Sequence, residues 1–219
     1  MILRQCTILM KKLIGFLPIL LCLAIPAYGQ EWSISDYLKN LPERYKTFEG
    51  DFSPPSKETT VIDEKNGYAG YLKVSGGSEM SFEMALFKSK NAPPLVVVTN
   101  EHSDMQCSFY ETFFLRRVGN KWVEVRDKVL PPIDTGMFWR EPQAAERLAK
   151  IVAVTPASAY HFAPPRQGTQ MKVSLEICDY FDEDPPEPTL KEFMKLKETA
   201  KPILLEWDSK SARFKFIKS

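Results

Sequence analysis

The chain of 219 residues predicts an α+β fold: an antiparallel β-meander sheet of about eight or nine strands with three short packed helices. Three observations predict it. Between Gly67 and Arg126 apolar and polar residues alternate in short runs separated by turn residues. The connections between those runs are too short for β-α-β crossovers, so successive strands pair antiparallel. Apolar positions at helical spacing are confined to three brief stretches elsewhere.

In chain order, residues 1–29 read as a targeting segment. Lys11 and Lys12 precede an apolar run from Leu13 to Ile25, and Ala27-Tyr28-Gly29 offers small residues for cleavage before Gln30. Residues 1–29 are therefore expected to be a signal peptide and residues 30–219 a single β-rich globular domain. Loss of Arg4, Lys11 and Lys12 takes the net charge from +1 to −2. A near-neutral balance with mixed signs gives no electrostatic reason to expect nucleic acid. The expected location is exported, in the periplasm or extracellular, and the cleaved chain is not expected to be an integral membrane protein.

A short helix follows, capped by Ser33 or Ser35, with Trp32, Ile34, Leu38 and Leu41 at apolar spacing and Pro42 closing it. Gly50 to Pro55 reads as a loop. Strands are expected at Thr59–Asp63 and Tyr68–Val74, joined through Asn66-Gly67, and at Met80–Phe87 with Phe82, Met84 and Leu86 on one face. Leu95–Thr99 does not alternate, which fits a strand covered on both faces. Cys107–Arg117 is aromatic-rich and turns at Gly119-Asn120 into Trp122–Arg126. Five Pro-Pro pairs mark element boundaries; the apolar patterns between them do not superpose, so no propeller-type repeat is inferred.

Beyond Pro132, Met137-Phe138-Trp139 is an apolar knot fit for core or contact surface. A helix opens after Pro142 with Ala144, Ala145, Leu148, Ile151 and Val152 on one face. Thr155–Pro165 reads as irregular. From Gln170 the alternation is clear, with Met171, Val173, Leu175 and Ile177 inward. An acidic, proline-rich loop spans Asp179–Pro188, and Thr189-Leu-Lys-Glu192 matches a capping box for a helix burying Leu190, Phe193, Met194 and Ala200. A final hairpin, Ile203–Trp207 and Ala212–Ile217, is expected to extend the same sheet.

Once the leader is gone, Cys107 and Cys178 are an even pair in an oxidising compartment, and a disulfide is expected. Other candidate sites are diffuse. Glu101, His102 and Asp104 could hold a metal, or His102 could act as a base with Ser103 nearby; a solvated turn is the plainer reading. His161 would matter if it met His102 in space. Tyr68, Tyr71, Trp122 and Trp207 would form a sugar- or protein-gripping platform if they shared an exposed face. Asp179, Asp182 and Asp184, with Glu183 and Glu187, supply hard oxygen ligands but lack the spacing of a calcium loop.

No phosphate-cradling glycine loop, nucleophile motif or paired-cysteine metal motif is present, and no cofactor is expected. The pattern favours a non-catalytic cell-envelope or secreted binding protein for a protein or glycan partner. The rival is a secreted hydrolase or carbohydrate-binding protein with a polar cleft near residues 100–104.

Overall fold

The computed structural model describes residues 32–46, 60–75, 78–103, 107–141, 143–151, 160–178, 181 and 185–217. The expected signal peptide, the Gly50–Pro55 loop, Asp104, Val152, Asp179, Asp182, Glu183 and Asp184 lie outside these residues. The elements below belong to one compact unit, Ser33–Ser219.

The fold is α+β with two antiparallel meander sheets. Sheet one runs β1 (Thr60–Asp63), β2 (Tyr68–Ser75), β3 (Ser78–Phe87), β4 (Leu95–Ser103), β5 (Ser108–Val118), β6 (Lys121–Glu124), each strand paired with the next in sequence. Sheet two has the order β10 (Arg213–Phe216), β9 (Ile203–Asp208), β8 (Gln170–Leu175), β7 (Tyr160–Ala163). The turn before β2 needs Gly67: its φ is 66°, and a Cβ there would sit 3.1 Å from Cβ of Leu86, whose amide donates to the Gly67 carbonyl.

Helix α1 (Ile34–Asn40) covers one face of sheet one. Ser33 caps it, accepting from the Asp36 amide while Asp36 accepts from the Ser33 amide. Its Ile34 and Tyr37, with Leu41 and Tyr45 just beyond, are buried beside Phe82, Met84, Val96 and Val98 of the sheet. The Tyr45 ring meets Phe113 edge-on at 4.9 Å. Sheet two covers the opposite face. There Ala85, Phe87, Leu95, Val97 and Phe114 share one core with Phe162, Met171, Val173, Leu205 and Phe214. Leu95 to Val98 are consequently inaccessible along their whole length, which explains why β4 lacks alternation.

Among the described residues three further α-helices follow: the single turn α2 (Arg126–Val129), then α3 (Gln143–Ile151) and α4 (Glu187–Thr199). Phe138 and Trp139 are core residues, whereas Met137 is exposed. The Trp139 indole N–H donates to the Leu196 carbonyl at 2.9 Å and ties α4 to this knot.

Four expectations need correction. The final hairpin does not extend the meander; β9 pairs with β8, so the β strands divide into two sheets. The Thr155–Pro165 segment contains a strand, β7, whose Tyr160 and Phe162 enter the core. Four residues are too few to display a period, and the pairing of Phe162 with Val173 defines the strand. The capping box at Thr189 is not used: α4 starts three residues earlier, with Pro186 as N-cap and Pro188 in the first turn. Proline has no amide to leave orphaned there and its φ already suits a helix. Finally, α4 buries Phe193 and Leu196, while Leu190 and Met194 stay exposed. The seam follows the contact with Trp139 rather than the widest apolar stripe.

Candidate functional site, a polar corner between the sheets

Sheet two leaves part of sheet one without an apolar cover. Along the face that buries Ala85, Phe87, Val97 and Phe114, the next positions are polar: Ser81 and Glu83 on β3, Thr99 and Glu101 on β4, Tyr110 and Thr112 on β5. Register makes them neighbours, since Ser81 pairs with Glu101, Glu101 with Tyr110, Glu83 with Thr99, and Thr99 with Thr112. Strand β7 borders this floor. Thr99 Oγ1 donates to the Phe162 carbonyl at 2.7 Å and lies 3.1 Å from Thr112 Oγ1. Phe162 turns into the core, so the period of two sends His161 the other way. Its ring stacks on Tyr110 with centroids 4.0 Å apart and planes 9° from parallel.

The polar groups here satisfy one another. Glu101 accepts from Ser81 Oγ at 2.8 Å and from the Tyr110 hydroxyl at 3.0 Å. Glu83 accepts from the Tyr68 hydroxyl at 2.7 Å. That reach depends on Gly70, which pairs with Glu83 on the adjacent strand. A Cβ at Gly70 would stand 2.6 Å from the Tyr68 hydroxyl oxygen, so only a glycine lets the ring lie over the strand. Ser81, Glu83, Glu101, Tyr68, Tyr110 and His161 are all half-buried. The two carboxylates occupy diagonal positions on neighbouring strands, where backbones are roughly 7–8 Å apart.

Burial shapes the protonation states. It raises the pKa of Glu83, with the Glu101 charge adding to the rise and the Tyr68 hydrogen bond opposing it. Burial also raises Tyr68 and Tyr110, whose neighbouring carboxylates disfavour a phenolate. His161 is pushed down by burial, and Lys172 acts in the same sense against the pull of Glu101. The corner thus combines neutral hydroxyls and a histidine favoured as neutral with one carboxylate held by two donors.

The raised Glu83 value has a stability consequence. Where folded pKa exceeds unfolded pKa for an acid, the native state holds the extra proton, and stability falls as pH rises through the interval between the two. At neutral pH the ionised Glu83 therefore opposes folding. Glu83→Gln keeps an acceptor for Tyr68 and removes the charge. It is expected to raise Tm at pH 7 by roughly 2–4 °C, the shift ~1 kcal/mol makes in a chain of this size. The gain should shrink as pH falls through the folded value and vanish below the unfolded carboxyl value of about 4.3; a gain of the same size at neutral pH and below the unfolded value in calorimetry would contradict the assignment.

The sequence-derived candidates are distributed as follows. Glu101 is in the corner, but His102 lies on the opposite face of β4, as adjacent strand residues must, paired with Met80 and Phe109. The two histidines are accordingly on opposite faces of sheet one. The tyrosines separate too: Tyr68 faces Glu83, while Tyr71 stacks on Phe82 at 5.2 Å and donates to the Lys46 carbonyl. Burial lifts the Tyr71 hydroxyl to about 12. Trp122 packs edge-on against Tyr37 and donates to the Asn40 carbonyl, and Trp207 is a core residue donating to the Lys88 carbonyl. These rings do not share one platform. Among the described residues no group of three or more His, Cys, Asp or Glu is placed to hold a metal.

Sequence reasoning missed Ser81, Glu83, Tyr110 and the role of His161 beside them. The available signal was parity: on β3 the face carrying Ala85 and Phe87 turns polar at Glu83 and Ser81. Cys107, just before β5, and Cys178, just after β8, are disulfide-bonded with Cα atoms 5.2 Å apart. The bridge therefore links sheet one to sheet two beside the strands that form the corner. Among the described residues no helix is long and apolar enough to cross a membrane.

No protein-family model matches the chain, and no curated protein matches it. Among solved structures it is similar to a domain of an uncharacterized protein from Porphyromonas gingivalis W83, at 12% identity and a TM-score of 0.48, over 70% of this chain and 72% of that one.

Proposed function

We propose that the chain is an exported, non-catalytic binding protein of the cell envelope or secreted space that holds a protein or glycan partner at the polar corner. The observation that carries this reading is the mutual satisfaction of the half-buried groups there. Ser81 and Tyr110 spend their hydroxyl protons on Glu101, and Tyr68 spends its own on Glu83. Hydroxyl catalysis would need a nucleophile within reach of a basic group that can accept its proton. Here the serine of the corner donates to a carboxylate rather than to the histidine, which stacks on a ring instead. What the corner does offer is a rigid array of acceptors, hydroxyls and an imidazole edge, suited to hydrogen-bonding a polar partner. Export is supported by the leader-like first segment and by the disulfide.

Pull-down from an envelope extract with residues 30–219 as bait tests the binding reading. A protein or glycan retained in stoichiometric amount is the expected result, and an empty bait lane from both envelope and culture fluid would refute it.

One observation favours the rival hydrolase: Glu83 and Glu101 share a face, and burial favours the protonated form of the first, as a general acid requires. Release of reducing ends from envelope glycan by the wild type, and its loss in Glu83→Gln, would turn the assignment to that class.

A further inference from the structure

A recess of about 340 Å³ opens between α2, the segment that follows it, and β7. Its volume is at the small end of the roughly 300–1,000 Å³ typical of small-molecule sites. Tyr160 and Phe162 turn to this side of β7, and the period of two turns His161 and the polar corner away from it. Leu130, Pro131 and Ile133 form a wall that is partly open to solvent. Neither Pro131 nor Pro132 carries an amide hydrogen, so the wall offers apolar surface and no backbone donor at those two positions.

Arg126 lines the recess from α2, and its head is held from beneath. Its Cζ stands 5.1 Å from the centroid of the Phe162 ring and 5.9 Å from that of Phe114, and the two rings meet edge-on at 5.3 Å. Those rings are buried; they seat the guanidinium and leave no surface of their own to a ligand. Among the described residues no carboxylate lies within ion-pair distance of Arg126 and no oxygen accepts from its side chain. The Tyr160 hydroxyl, at the back of the recess, is engaged with Thr135 Oγ1 at 3.0 Å. Burial lowers the Arg126 pKa, against the pull of Asp127 and Tyr160. A half-buried guanidinium thus faces the recess with five donors and no acceptor from the protein.

We propose that this recess binds a small apolar monocarboxylate, its head on the Arg126 guanidinium and its body against Leu130, Pro131 and Ile133. The guanidinium fork matches the two oxygens of a carboxylate. Asp127 is exposed, lines the same recess and opposes a second negative charge, so a monoanion is favoured over a phosphate dianion. A recess this small suits a short branched body better than a long chain.

Calorimetric titration of the whole protein with isovalerate tests this, with isoamyl alcohol and inorganic phosphate as comparisons and the Arg126 Nε–H resonance as locator. Isovalerate is expected to bind and to shift that resonance. Arg126→Lys keeps a cation over the rings but removes the fork, and should bind isovalerate about tenfold more weakly. Asp127→Asn, at an exposed position, should melt like the wild type and bind it about threefold more tightly, which decides the matter where Arg126→Lys fails to fold. The proposal is overturned if isovalerate fails to bind, if it leaves the Arg126 signal unmoved, if folded Arg126→Lys binds it equally, or if Asp127→Asn leaves its affinity unchanged. Equal binding of isoamyl alcohol would make the recess merely apolar, and equal binding of phosphate would make it a plain anion site; either also overturns the proposal.

Discussion

Val173→Asp is expected to destroy the cooperative fold. Val173 is inaccessible, sits in an inner strand of sheet two, and pairs with Phe162 on one side and Ile203 on the other. Its side chain belongs to the core that joins both sheets. A carboxylate there has no partner, and leaving a charge buried and unpaired costs about 3–5 kcal/mol. Whole-domain stability is only about 5–15 kcal/mol, so the variant should lose its sharp thermal transition or melt at least ~6 °C lower. Lys172→Asp provides the control for the face. Lys172 is exposed one residue away, and surface changes usually stay within about 0.5 kcal/mol. Similar melting of Val173→Asp and the wild type would show that the inward face of β8 is assigned wrongly.

Removing the disulfide is the second large effect. Cys107 and Cys178 are 71 positions apart, and on the chain-entropy model closing such a loop stabilises the fold by about 4 kcal/mol. The double variant Cys107→Ser/Cys178→Ser should therefore melt roughly 8–16 °C below the wild type. Reductant should lower the wild type to the same value and leave the variant unchanged. Because the bridge joins the strand of Tyr110 to the sheet of His161, the polar corner should loosen before the rest, seen as faster amide exchange at residues 108–112 and 160–163. Thiol labelling of both cysteines in the native, unreduced protein would contradict the bridge.

How far the sequence carries the structure follows from how local each signal is. Turn residues and the period of two suffice for β1 to β6, because each strand pairs with its chain neighbour and the pairing needs no long-range knowledge. The flat apolar run of β4 already announces cover on both faces. What covers each face is a tertiary fact. A meander looks the same whether its strands lie in one sheet or two, so the division after β6 left no mark on the residues. Strand β7 is invisible for a related reason: its four residues become a strand by pairing with β8. The Thr189 motif shows the reverse error, a correct local pattern displaced by prolines that start the helix earlier.

The candidate site is less legible still. Glu101 stands out in sequence only because His102 and Asp104 are near it, and the pleat then separates Glu101 from His102. Its actual companions, Ser81, Tyr110 and His161, lie 20, 9 and 60 positions away in the chain and meet through register and sheet packing. The disulfide was readable from parity once the expected leader is set aside, since two remaining cysteines pair in an oxidising compartment.

The measurement that bears most directly on the polar corner is a paired capture from envelope extract with four folded baits. These are the wild type, Glu101→Gln, Tyr110→Phe, and Lys128→Gln as a control for an exposed charge on α2, each captured at a temperature well below its own measured melting point. If the corner is the contact surface, the two corner variants retain the partner about tenfold less well while the control matches the wild type. Equal retention by all four baits would contradict that placement and move the contact surface elsewhere on the molecule.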